Sequence, residues 1–170
     1  MSSISFKPLQ PSDSDDLYSW RNSPDVARYM YNNGAIDRSS HDAWFAAALA
    51  DQRRKYWIIE LDGKGIGLIN LNDIDLKNRK AEWAFYVGDA GHRGKGVGSE
   101  CESFILDYAF NVLGLNKLTC AVLEFNEGVC RLHERHGFVR EGILRQHICR
   151  DDGFHNVVVY GMLNSDLKGL

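Results

Sequence analysis

Apolar and polar positions alternate over residues 4–9, the period of a strand, and the spacing then lengthens to that of helices. Ser12 or Ser14 stands where a cap would open a short helix running through Trp20. Ser23 followed by Pro24 predicts a second helix, with Val26, Tyr29 and Met30 on its apolar side. Trp44, Phe45, Ala48 and Leu49 recur at helical spacing, which predicts a third helix starting near Ser39 or Ser40 and ending among the charges at 51–55.

From Tyr56 the pattern becomes strand-like. Residues 56–61 and 66–71 flank Asp62-Gly63, a hairpin signature, and the polar turn Lys77-Asn78-Arg79 leads to a third antiparallel strand at 81–87. Val97, Cys101, Phe104, Ile105, Tyr108 and Val112 then form one helical stripe that Gly114 stops. A strand at 117–123, a short helix at 127–136 closed by Gly137, and a hairpin of 138–150 with 154–163 over Asp152-Gly153 complete the chain. The order of elements is α+β.

With no Pro-, Ser- or Gly-rich linker and no repeat, residues 1–170 read as one domain. A net charge of -3 supplies no broad positive field, so neither nucleic acid nor an anionic membrane is expected as a partner. The four cysteines, Cys101, Cys120, Cys130 and Cys149, are dispersed among apolar neighbours without a C-x-x-C pair, and reduced, buried thiols are expected. No run of apolar residues is long enough to span a bilayer and Met1-Ser2-Ser3-Ile4 carries no targeting pattern, so the expected compartment is the cytoplasm.

The segment Arg93-Gly94-Lys95-Gly96-Val97-Gly98, between a strand and an amphipathic helix, carries the most chemistry. Glycines let the backbone approach an anion, and the unpaired amides and dipole of the helix start attract it. A dinucleotide fingerprint belongs on the first strand of a parallel βαβ unit, whereas this loop follows a meander. A nucleotide P-loop fails as well, because Gly96 follows Gly94-Lys95 where Ser or Thr is needed and Asp89 holds the upstream glycine position.

Arg93-x-x-Gly96-x-Gly98 resembles the motif with which GCN5-related N-acetyltransferases hold the pyrophosphate of acetyl-CoA. Asn126 after the next strand and Gly137-Phe138 after the next helix agree in order, with His133 where that family usually has tyrosine. The resemblance implies a mixed, mostly antiparallel sheet of six to seven strands flanked by four to five helices, with acetyl-CoA as cosubstrate in a wedge between strands four and five. Tyr86, Val87, Arg93, Gly94, Lys95, Gly96, Val97, Gly98, Ser99 and Asn126 would then contact the cofactor, and a backbone amide at a bulge near Val87 would polarise the thioester. Direct attack by an amine requires a base, for which Glu82 is the candidate, and a donor near sulfur, for which His133 is the candidate. The competing assignments are a surface Glu82 paired with Lys80 or Arg79, and a core His133. His133-x-x-His136 lacks a third ligand, so no metal is expected.

The front of the chain resembles one branch, the enzymes that acetylate the UDP-linked 4-amino sugar of pseudaminic acid biosynthesis. Trp20-Arg21-Asn22, Ile36 with His41, Trp44-Phe45 and Glu82-Trp83-Ala84-Phe85-Tyr86 carry that likeness, which implies acceptor contacts from Arg21, His41, Asn72, Asp73 and Tyr86. Enzymes that acetylate ribosomal-protein N-termini or polyamines are neighbouring alternatives, for which Asp13, Asp15, Asp16, Asp73 and Asp75 would form an acidic mouth. A CoA-binding module without catalysis is the third reading. Aromatic strands exposed at the surface would allow a homodimer.

Overall fold

A computed structural model describes residues 3–169. Met1 and part of the N-terminal reading lie outside the described residues. One sheet of seven strands organises the rest, in the order β1-β2-β3-β4-β5-β7-β6. The strands are β1 (Ile4–Pro8), β2 (Lys55–Leu61), β3 (Lys64–Asp75), β4 (Lys80–Val87), β5 (Lys117–Leu123), β6 (Val139–Arg150) and β7 (Gly153–Leu163). Every neighbouring pair is antiparallel except β4 with β5. The α+β expectation therefore holds, and the helices α1 (Ser14–Asn22), α2 (Pro24–Ala27), α3 (Arg38–Ala50), α4 (Val97–Asp107) and α5 (Glu127–Arg135) lie where the periodicity predicts them, within a few residues. No helix among the described residues is long and apolar enough to cross a membrane.

Two apolar clusters cover the two faces of the sheet. The larger joins α4 to the strand interiors through Trp57, Ile69, Trp83, Ile105, Phe110 and Tyr160, and the smaller joins α1 and α3 to it through Leu17, Phe45, Tyr56, Ile58 and Leu68. Burial of these side chains is the main force holding the helices to the sheet.

The start of α1 departs from the expected cap. The carboxylate of Asp13 accepts from Lys7 Nζ at 2.8 Å and from the Gln10 amide at 2.7 Å. The chain consequently enters α1 through a 3-10 turn, Pro11–Asp13, with no cap from Ser12 or Ser14. α3 starts next to the expected Ser39, and Asp37 caps it: it accepts from the Ser40 amide at 2.9 Å and from both serine hydroxyls, contacts that hold its carboxyl far below the usual range. The cysteines also differ from expectation, because Cys101 and Cys120 are buried whereas Cys130 is half-buried and Cys149 is exposed on β6 at the edge of the sheet.

Candidate active site

The parallel pairing of β4 with β5 lasts only from Lys80↔Lys117 to Glu82↔Thr119, after which the strands diverge. Trp83, Phe85 and Val87 on one side and Cys120, Ala121 and Leu123 on the other line the resulting wedge, which belongs to a cavity of ≈ 1250 Å³. Parallel strands joined by a helix that does not fill the gap leave backbone groups unpaired there, and those groups are free to bind a ligand.

The glycine loop forms one rim. Gly94 and Gly96 have φ of 74° and 81°, the left-handed region that a side chain resists. Glu100 is the residue whose amide reaches back to Gly96, at 3.2 Å, so the amides of Val97, Gly98 and Ser99 precede the regular hydrogen bonding of α4. Gly98 lets α5 pack close: a Cβ there would lie 2.7 Å from Leu132 Cδ2 and would have to push that methyl group aside. Arg93 Nη2 donates to the Val87 carbonyl at 3.0 Å and Nε does so at 3.3 Å.

Just beyond Val87 the amides of Gly88 and Asp89 both donate to the Ile66 carbonyl, at 2.8 and 3.1 Å, the two-to-one pairing of a bulge. Register with β3 runs without a break from Gly67↔Val87 to Asn72↔Glu82, and the irregularity falls between Asn72 and Asp75. Because Gly88 donates its amide to β3, Val87, its neighbour, turns its amide and carbonyl the other way, toward the wedge.

His133 of α5 is buried, yet it borders the same cavity, packed among the rings of Trp83, Phe138 and Tyr160 at 5.4, 5.4 and 5.6 Å. Its Nδ1 meets Glu102 Oε1 at 2.5 Å, and Glu102 on α4 is fully buried. Glu102 escaped the reading of the sequence, although it lies four residues after Gly98 and four before Leu106 and so shares their inward face. His136 is only half-buried, with Nε2 at 3.1 Å from Ser99 Oγ, and no cluster of metal-ligating residues occurs among the described residues.

Glu82 faces the cavity and forms no ion pair with Lys80 or Arg79; Arg79 instead donates to the Gly114 carbonyl at 2.9 Å. Surrounding protein, and secondarily the negative charge of Asp73, push the Glu82 carboxyl above its usual range. It is also exposed to solvent, since the cavity in front of it is open.

Among the acceptor-side candidates, Arg21, His41 and Tyr86 reach the cavity wall. Arg21 donates through Nη2 to the Asn32 carbonyl, while its buried Nη1 has no partner. Burial disfavours its charge, with the adjacent Tyr86 acting in the opposite sense, and no carboxylate among the described residues pairs with it. His41 is buried against Tyr18 and Phe45, and its Nε2 meets Ser14 Oγ at 3.1 Å, so it ties α3 to α1. Asn72 and Asp73 are not brought into the wall: Asn72 accepts from Tyr56, and Asp73 lies 3.4 Å from Arg53. Lys95 is exposed on the loop and also stands outside the wall, whereas Asn126, where α5 begins, lines it. Tyr31 and Asn32, neither of them expected as an acceptor contact, complete the acceptor side.

The acetyltransferase (GNAT) domain family profile matches residues 4–139. The chain belongs to this family. It is accordingly an N-acetyltransferase, and the splayed wedge and glycine loop are the parts of this GNAT domain that its sequence announces. The chain is 26% identical over 156 residues to a spermidine N(1)-acetyltransferase of Escherichia coli (strain K12), covering 92% of this chain and 83% of that protein. Identity is 27% over 133 residues, covering 78% and 81%, to the acetyltransferase PseH of Campylobacter jejuni. The sequences thus give no preference to the amino-sugar branch. A spermidine N-acetyltransferase from Vibrio cholerae, solved in complex with CoA and spermine, shares the fold with a TM-score of 0.89 at 24% identity, covering 96% of each chain.

Proposed function

We propose that this GNAT domain transfers acetyl from acetyl-CoA to the primary amine of a small acceptor that also carries negative charge, a nucleotide-linked amino sugar being the acceptor class the cavity suits best. One observation carries the acceptor assignment. Arg21 holds a half-buried guanidinium in the acceptor wall with no carboxylate paired to it. A cation taken from water without a counter-ion is costly, and a diphosphate arriving with the acceptor offsets that cost by a charge-assisted contact.

The acids that would recognise a polycation are mostly committed elsewhere. Asp13 meets Lys7, Asp15 meets Arg38 and Asp73 meets Arg53, each outside the cavity wall, while Asp37 within the wall is engaged in capping α3. Asp25 lies 3.9 Å from Arg93, which leaves Glu82 as the carboxylate nearest the wedge without an ionic partner. A polyamine acceptor is the second reading, supported by the 26% identity to the spermidine enzyme over 92% of the chain.

In this assignment the amides at the start of α4 and Arg93 hold the CoA pyrophosphate, the Val87 amide polarises the thioester carbonyl, Glu82 takes the amine proton directly or through water, and His133 donates to the departing thiolate. CoA thiol release is the test, measured with a UDP-linked amino sugar, spermidine and an N-terminal peptide as acceptors. The first should give the highest kcat/KM; turnover confined to spermidine moves the assignment to polyamines, and acetyl-CoA binding without turnover of any amine removes catalysis.

A further inference from the structure

The pair formed by Glu102 and His133 has a geometry that a packing role leaves unexplained. Glu102 is wholly buried, one of its oxygens contacts His133 Nδ1 at 2.5 Å, and the other, Oε2, is buried without a partner. A strut between α4 and α5 needs no charge, since apolar residues of equal volume do the same work at no desolvation cost. A carboxylate left half-satisfied in such a place costs stability. His133 Nε2 makes no hydrogen bond and is not among the sealed polar atoms, so it is the ring atom through which His133 meets the cavity.

We propose that Glu102 is the positioning residue of a buried proton-donating pair, holding His133 by Nδ1 so that Nε2 delivers a proton to the sulfur of the departing thiolate. The proposal rests on the acetyl-transfer reading above. As the amine nitrogen bonds to the acetyl carbon, the C–S bond breaks and sulfur takes its electron pair. The proton on Nε2 passes to sulfur, giving the free thiol, while the proton shed by the amine goes to Glu82 or water. His133 is left neutral, keeping its Nδ1 hydrogen and donating it to the Glu102 carboxylate, and it regains a proton at Nε2 from water when the thiol departs. The carboxylate fixes which nitrogen keeps its proton and stabilises the imidazolium that must form.

The surrounding groups leave that task to Glu102. Cys101 on α4, Cys120 on β5 and Tyr160 on β7 face the pair, and burial pushes all three upward, so they stay neutral at physiological pH. Phe138 at the start of β6 and Trp83 on β4 present rings, and Glu82 on β4 and Glu134 on α5 are acids. His136 on α5 is engaged with Ser99. No lysine or arginine contacts Glu102 among the described residues, so His133 Nδ1 is the group its carboxylate meets.

Glu102→Gln tests this. It keeps the shape and removes the charge, and kcat should fall about tenfold or more while the calorimetric Kd for acetyl-CoA holds. The alkaline limb of kcat, set by loss of the imidazolium proton, should move to lower pH. In a His133→Tyr background, where a hydroxyl replaces the imidazole, the same change should have no such effect on kcat. An unchanged kcat and pH profile in Glu102→Gln, with wild type active, overturns the pair and leaves acetyl transfer standing; a wild type that neither binds acetyl-CoA nor turns over overturns the wider reading. Should Glu102→Gln not fold, 15N NMR of wild-type His133 decides: Nδ1 protonated throughout and Nε2 titrating supports the pair, and a proton resident on Nε2 alone overturns it.

Discussion

Arg93 and Val87 are bound together, guanidinium to backbone carbonyl, at 3.0 and 3.3 Å, so the glycine loop and the last residue of β4 form one unit. In the proposed assignment this link would set the pyrophosphate rim and the Val87 amide, which would meet the thioester, relative to each other. Arg93→Met breaks this link and removes a charge from the rim. Hydrogen bonds involving a charged group are worth about 1.5–3 kcal/mol, so the Kd for acetyl-CoA should rise about tenfold or more. Isothermal calorimetry checks it; an unaltered Kd would detach the loop from cofactor binding.

As the proposed base, Glu82 must be ionised to accept a proton, and burial together with Asp73 holds its carboxyl above the usual range. Activity should therefore rise with pH along an acid limb lying above that of an ordinary glutamate. Glu82→Gln should lower kcat/KM about 100-fold and abolish the limb. Asp73→Asn, which removes the like charge, should move the limb to lower pH without abolishing it. Rate profiles from pH 5 to 9 separate the two, and a limb indifferent to both changes would assign it to another group.

Arg21 should matter to the acceptor and not to the cofactor. Arg21→Ala is expected to raise the KM of an acceptor bearing a diphosphate about tenfold or more, the size of a lost charge-assisted contact, while the KM of acetyl-CoA stays put. With spermidine the same change should leave KM level or lower it, because a positive charge leaves the wall. A rise in KM for both acceptors would assign Arg21 to shaping the wall through Asn32.

Gly67 on β3 is a packing requirement that supports the site. A Cβ there would lie 2.2 Å from the Tyr86 carbonyl oxygen, a backbone atom that cannot swing aside. Gly67→Ala should force β3 and β4 apart at the residues that carry Tyr86 and Val87, at about 2 kcal/mol and a Tm loss of about 4–8 °C. Thermal unfolding measures this directly, and a Tm within a degree of wild type would mean that the strands shift freely.

Periodicity determined the elements of this protein by itself, since an amphipathic strand or helix writes its buried face into its own residues. The hairpin at Asp62-Gly63, the helix stripe from Val97, and the glycine loop needed no partner to be seen. Caps were less legible because they depend on competition: neither Ser12 nor Ser14 caps α1, and at α3 Asp37 takes the cap and accepts from both nearby serine hydroxyls. Tertiary structure alone decided which side chains meet. His133 and Glu102 are separated by 31 positions, and Arg21 faces Tyr86 from another element, distances over which no local period carries information. The same long-range packing took Asn72 and Asp73 out of the cavity wall and left Arg21 in it without a counter-ion. Charge pairing and desolvation act through space, so they are settled only when the sheet has brought its helices together.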